Sequence, residues 1–321
     1  MLKFTIRRFL AMIPQIILLS FVVFLVAQAM PGDALTGRID PNISPEVIEI
    51  QREALGLNNP WYIQYRDWVS GIFRGDFGRS FRFQMPAIEI IGQRLYNTVW
   101  LALFTMILTY GIGIPLGVIS GRHHDTWKDR IITAYTYLGF GLPIFVFALL
   151  MIYLFGFNLG WFPTGGSIAP GLTSADGMAY ILSRIRHMIL PGFSVAFIST
   201  VGIVQYLRGE IVDTEQKEFT ITARAKGATE NRVYNKHILR NSVLPIASFL
   251  GFEIAILIGG SVITETIFSY PGMGELFVTS ITSRDFTVMT ALILLTGVTT
   301  IVSAFISDVL LMMVDPRIDI K

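Results

Sequence analysis

The chain has 321 residues, is 52% hydrophobic and only 15% charged, balances 25 Lys and Arg against 23 Asp and Glu, and has no cysteine. Its charges cluster and leave long uncharged runs, which excludes a soluble protein that must cover its whole surface with polar groups. The missing cysteine excludes disulfides, thiolate metal sites and cysteine nucleophiles.

A spanning helix needs about 20 apolar residues to cross a hydrocarbon layer ~30 Å thick. Uncharged runs of that kind lie at residues 9–32, 95–121, 131–175, 188–207 and 286–307, and a sixth at 242–264 is interrupted only by Glu253. The third run is too long for one span, and Asn158, Pro163, Gly165 and Gly166 close it as a loop. The pattern predicts an all-α integral membrane protein with six transmembrane helices.

The first span, with the basic residues Lys3, Arg7 and Arg8, occupies residues 1–30. Ala27-Gln28-Ala29 looks like a signal cleavage site, but the run is long for a signal peptide and right for a retained helix. Residues 31–96 form a polar, turn-rich extracytoplasmic segment with short helices expected at 45–54 and 61–73. Trp61, Tyr62, Tyr65 and Trp68 suit the outer membrane interface. The segment reads equally as a cap on the bundle and as a receptor-docking surface.

Residues 97–321 are expected to hold the other five spans. The second, about 97–120, carries Gly113, Gly117 and Gly121, and the fifth carries Gly251, Ala255 and Gly259, at four-residue steps that let helices approach closely. Between the second and third spans lie Arg122, Lys128 and Arg130, with His123 and His124 as a solvated flank rather than a metal site. By the positive-inside rule both termini and the basic stretch at 209–245 are cytoplasmic, with Arg184 and Arg186 running weakly against it.

Residues 209–245 form the most highly charged insert of the second half. They read as two short helices about Gly227, the second capped by Thr229. Asp213 and Thr214 are expected to cap the first, with Glu215 and Glu218 early and Arg224 and Lys226 late, an order that suits the helix dipole. Val233, Tyr234, His237 and Ile238 recur at helical spacing on the second. A hinged amphipathic pair held under a membrane is a docking device.

Glu253 is an acid within an apolar span, placed either to line a translocation path or to pack in a hydrogen-bonded seam. Beyond it, Tyr270-Pro271-Gly272 is turn chemistry, followed by a short re-entrant or interfacial helix. No P-loop, HExxH or GxSxG occurs, so nothing here performs covalent chemistry. A chain that moves something uphill then draws its energy from another subunit or from an ion gradient. The hinged basic stretch fits the first, and no inverted repeat supports the second.

Several stretches together resemble one family. TARAKGATENRVYNKHILRNSVLP, LGLNNPWYIQYRDW…GDFGRSF, ETIFSYPGMGELFVTSITSRDF, PGDAL and DPRI are similar to segments of permeases of the dipeptide, oligopeptide and nickel ABC importers. The resemblance implies the type I importer permease fold in a prokaryotic inner membrane. It also implies a second paralogous permease, two ATPase subunits that hold ATP and Mg, and an extracytoplasmic substrate-binding protein. It leaves no cofactor, metal, catalytic residue or nucleic acid for this chain.

Ala223 and Gly227 match the short signature of the family's ATPase-coupling loop, and Arg232, His237, Arg240, Asn241 and Pro245 match its extended part. Ile221-Thr222-Ala223 replaces the usual Glu-Ala-Ala, as in the peptide branch. Glu253 stands where many relatives carry a neutral polar residue. Trp61, Tyr65, Asp76, Pro271 and Gly272 are the expected contacts of the binding protein. Relatives carry di- and oligopeptides, glutathione, nickel complexes and oligosaccharides, with peptides the first expectation.

Overall fold

The computed structural model describes residues 2–29, 45–54, 56–243, 246 and 259–314. Among them the chain is mostly helical, and its one β-bridge pairs Arg79 with Pro86. The chain forms two compact units.

The first unit is built on α1 (Leu2–Ala29) and α12 (Phe286–Val314). Both are apolar nearly all round, as a lipid-embedded helix must be. They pack closely at Gly297, where a Cβ would meet a Leu19 methyl at 2.7 Å. Arg8 and Asp308 form an ion pair at 2.9 Å.

The segment after α1 forms α2 (Pro45–Ala54) and α3 (Trp61–Phe73), with the bounds the sequence predicts, and α3 packs on α1. The aromatic side of α3 is partly internal. Tyr65 and Trp68 lie against Phe24, and the Tyr65 hydroxyl shares a 2.8 Å hydrogen bond with Ser20. Trp61 and Tyr62 remain more than half exposed. A cleft of about 560 Å³ opens here, lined by Gln28, Gln64, Trp68, Asp76 and Thr287 among others.

A buried carboxylate fastens the segment to α12. Asp285 accepts the Ser80 hydroxyl at 2.5 Å and the Arg82 amide at 3.2 Å, and its other oxygen accepts the Val288 amide at 3.3 Å. It thus caps α12 and ties down a loop some two hundred residues away in sequence. Beneath it Ile90, Ile91, Met273, Leu276 and Leu292 form an apolar core. Asp285→Ala orphans the Ser80 hydroxyl and two amides, at a cost of about 2–3 kcal/mol. The expected result is a fall of roughly 5 °C in the unfolding midpoint of the detergent-solubilised protein; an unchanged midpoint would show that the staple does not hold the segment.

The second unit contains the C-terminal part of α4 (Ala87–Arg122), then α5 (Trp127–Gly141), α6 (Ile144–Met151) and α7 (Met178–Glu215). The small-residue stripe on α4 meets α7. A Cβ on Gly113, Gly117 or Gly121 would lie 3.2, 2.9 and 2.8 Å from Ile203, Leu207 and Ile211 in turn. Helix packing is therefore what this stripe does.

Two expectations change here. The third span is not one straight helix. Leu142 is extended, as a residue before proline prefers, and α5 and α6 meet at Gly141–Pro143 with a bend of 102°. After α6 the chain widens into a π-helix, Ile152–Asn158. The second and fourth spans also start about ten residues earlier than their uncharged runs, because half-buried Arg94 and buried Arg184 are accommodated inside helices. Among the described residues four helices are long and apolar enough to cross a membrane, and the bent pair is a fifth candidate. Most of the expected span at 242–264 lies outside the described residues.

The last connector forms α10 (Val262–Ile267) and α11 (Met273–Thr282) around the predicted turn. Ser269 adopts a positive φ of 45°, and Tyr270 turns inward to full burial with its amide on the Glu265 carbonyl at 2.8 Å.

Candidate functional site

The hinged stretch hangs from the end of α7. Asp213 and Thr214 do not cap the next helix as expected. They form the last turn of α7, which runs on to Glu215 because Leu207 and Ile211 still pack on α4. Tertiary packing here overrides the capping preference of the side chains. Gln216 and Lys217 make the turn, and α8 (Glu218–Ala225) follows. The Thr220 hydroxyl reaches back to the Thr214 carbonyl at 2.9 Å and fixes the entry angle.

Helix α8 places Glu218 in its first turn and Arg224 in its last, as the dipole favours. It ends in a Schellman motif. The Gly227 amide bonds to the Arg224 carbonyl at 2.9 Å and the Ala228 amide to the Ala223 carbonyl at 3.2 Å. Gly227 has φ of +79°, a conformation that excludes most side chains, and no atom lies within 4 Å of where its Cβ would be. The constraint on this residue is conformational.

Thr229 then starts α9 (Glu230–Val233), its carbonyl accepting the Arg232 and Val233 amides, although its hydroxyl makes no cap bond. The chain continues as a π-turn, Tyr234–Leu239, which departs from the regular helix implied by the sequence spacing. The wider turn sets Val233, Tyr234 and Ile238 together against Leu207 and Ile211 of α7. Arg232, Lys236 and Arg240 face outward.

Charge pairs fix the joint. Arg224 donates to Glu215 at 2.6 Å and to Glu230 at 3.0 and 3.2 Å, so one guanidinium ties the end of α7, α8 and the start of α9. These carboxylates raise its pKa further. From α4, Arg122 donates to Asn231 at 2.6 Å and lies 4.7 Å over the Tyr234 ring. The Tyr234 hydroxyl donates to the Val118 carbonyl at 3.2 Å. Burial pushes this phenol up to about 12 in spite of the Arg122 charge, so it stays a donor at any physiological pH.

The sequence-predicted residues are distributed as follows. Ala223 is half-buried against the Leu207 cluster, and Gly227 is the exposed joint. Arg232, Arg240 and Asn241 are exposed, His237 is half-buried, and the Asn241 amide bonds to the His237 carbonyl at 2.5 Å. Pro245 and Glu253 lie outside the described residues. In the other unit Trp61 and Asp76 are exposed. Tyr65 is half-buried on α1, Pro271 is half-buried with its carbonyl accepting Asn97 at 2.8 Å, and Gly272 is buried.

Sequence reasoning missed Arg224, Glu215 and Glu230 as a set, and Arg122 with Tyr234. For the first a signal was present: Arg224 and Glu230 stand three residues either side of the glycine joint, where a reversal brings opposite charges together.

Residues 1–102 match the family described as "Binding-prot-dependent transport system membrane comp, N-term", and residues 113–320 match "Binding-protein-dependent transport system inner membrane component". The oligopeptide transport system permease protein AppB of Bacillus subtilis (strain 168) is 40% identical over 320 residues, 99% of this chain and 100% of that one. The glutathione transport system permease protein GsiC of Escherichia coli (strain K12) is 33% identical over 321 residues, the full length of both. Among solved structures, the methionine ABC transporter MetNI in inward-facing conformations aligns with TM-score 0.55 at 14% identity, over 71% of this chain and 97% of that one. An amino acid ABC transporter with histidines aligns with TM-score 0.54 at 15% identity, over 70% and 94%. The last two carry the fold alone. Matched along nearly its whole length, the chain belongs to the family of inner-membrane components of binding-protein-dependent transport systems, the permeases of ABC importers.

Proposed function

We propose that the chain forms part of the path of an ATP-driven peptide importer, and that α8 and α9 are where an ATPase subunit grips it. The observation that carries this reading is the build of residues 216–243. A basic two-helix hairpin is pinned to α4 and α7 by Arg224 and Arg122, yet turns Phe219 and Ile221 outward, 41% and 56% exposed. Apolar side chains held on either side of a rigidly anchored helix and left uncovered suit a groove on another protein that takes the helix in.

ATP and Mg belong to that partner, two copies of which serve the transporter, and this chain performs no chemistry of its own. Six spans place both termini and the hairpin in the cytoplasm, as the basic residues Lys3, Arg7, Arg8 and Arg122 favour. Residues 31–96 then face the substrate-binding protein, with Trp61 and Asp76 as the accessible contacts and Tyr65, Pro271 and Gly272 supporting them from within. A second permease completes the path, and Glu253 lines it. The exposed aromatic side chains Tyr137 and Phe140 of α5 and Tyr153 of the π-helix support cover by lipid and that second subunit.

A peptide substrate rests on similarity to AppB and to GsiC, whose named substrate, glutathione, is itself a tripeptide. The test is uptake into liposomes holding the whole transporter with its binding protein outside and ATP inside. Peptides of a few residues are expected to accumulate only with ATP, and nickel complexes or oligosaccharides not at all. Accumulation driven by an ion gradient without ATP would overturn the mechanism, and ATP-dependent uptake of nickel or sugar alone would overturn the substrate.

A further inference from the structure

A second buried carboxylate lies behind the hairpin. Asp129, in the first turn of α5, is 3% exposed and accepts five hydrogen bonds. Arg208 of α7 holds it with a two-pronged grip, 2.7 Å to each oxygen. Ser120 of α4 donates at 2.5 Å, the Asp125 amide of the intervening turn at 2.9 Å, and Thr133 at 3.2 Å. One side chain thus binds α4, the turn, α5 and α7. Further along the same two helices Gln205 donates to Thr136 at 2.6 Å and Tyr135 to the Phe197 carbonyl at 2.8 Å.

The position of this knot gives it a role. Arg208 and Glu215 are seven residues apart on α7, two turns, and so lie on nearly the same face. Glu215 carries Arg224 of the hairpin at 2.6 Å. On α4, Ser120 holds Asp129 while Arg122, two residues on, holds Asn231. The hairpin therefore pulls on the same two helices that Asp129 locks together.

We propose that Asp129 and Arg208 are a positioning pair that makes the inner ends of α4, α5 and α7 move as one block with the hairpin, so that ATP-driven motion reaches the path. The pair touches neither ATP nor substrate. The proposal rests on the hairpin being the ATPase contact.

The chain has no cysteine, so Thr222→Cys, exposed on α8, gives a clean cross-link to a cysteine on the ATPase and reports docking separately from transport. In the complete transporter in liposomes, Arg208→Lys keeps the charge and breaks the two-pronged grip. Uptake is expected to fall about fivefold to tenfold while ATP hydrolysis and cross-link yield stay within roughly twofold, raising the ATP consumed per substrate moved. Asp129→Asn with Arg208→Gln keeps hydrogen bonds without the charges; it is expected to fold and cross-link as the parent does and to show the same raised ratio. Uptake and hydrolysis falling in proportion in both variants would overturn the proposal, since a purely structural pair predicts that. Absence of the cross-link in the otherwise unaltered chain, with uptake intact, would instead overturn the docking assignment beneath it.

Discussion

Gly227→Val is expected to cut binding-protein-stimulated ATP hydrolysis and uptake by tenfold or more in the assembled transporter, with the chain still reaching the membrane in normal amount. The backbone there sits at φ of +79°. An L-residue pays about 1–2 kcal/mol to hold a left-handed conformation, and a β-branched one more. A difference of about 1.4 kcal/mol is already tenfold in an equilibrium. Relaxing that strain means giving up the Schellman bonds from Gly227 to Arg224 and from Ala228 to Ala223. Arg224 would then lose its aim at Glu230, and α9 its fixed angle to α8. Because nothing lies within 4 Å of the missing Cβ, size alone is harmless here. Gly227→Asn, a residue that tolerates the left-handed region, should therefore retain most of the activity. Rates for the valine variant equal to the parent's would show that the joint does not need this conformation. An asparagine variant as inactive as the valine one would show that some other property of glycine is required.

What the sequence disclosed was set by local chemistry. Helices α2 and α3 were legible to the residue, since Pro45, Pro60 and the glycines after Phe73 mark their limits. Gly227 was legible as a helix stop because only a few residue types suit that backbone. The stripe Gly113, Gly117 and Gly121 told of close packing but not of its partner, which depends on Ile203, Leu207 and Ile211 some ninety residues on.

The failures share a cause. Asp213 and Thr214 carry good capping side chains, but the apolar contacts of α7 continue past them and the helix does too. The bend at Gly141–Pro143 falls inside an uninterrupted apolar run, where hydropathy is blind to direction. The Asp129 knot was invisible for the same reason. Asp129 and Arg208 are separated by a bent helix and a loop, and nothing local to either marks it as buried. Asp129 stands between Lys128 and Arg130, and Arg208 follows an uncharged run, so only the packing of α5 on α7 joins them.

The structure also separates the two faces of the hairpin that the sequence left equivalent. Val233 and Ile238 are 0% and 1% exposed, already used against α4 and α7, whereas Phe219 and Ile221 are uncovered. The free apolar side chains are thus on α8, which is open on more than one side, with Thr222, Ala225 and Lys226 also exposed. Ile221→Asp is expected to reduce co-purification of the ATPase subunit about tenfold or more, because a carboxylate at the centre of an apolar contact must be desolvated without a partner. The chain's own amount and melting behaviour should hardly change, since an exposed substitution away from packing usually stays within ~0.5 kcal/mol. Val233→Asp makes the opposite pattern. It buries a charge within the chain and should lower the yield of folded permease before any question of partners arises. Retention of the ATPase by Ile221→Asp, together with its loss on reversing Arg232 and Lys236 on the outer side of α9, would move the contact from the apolar side chains of α8 to the basic ones.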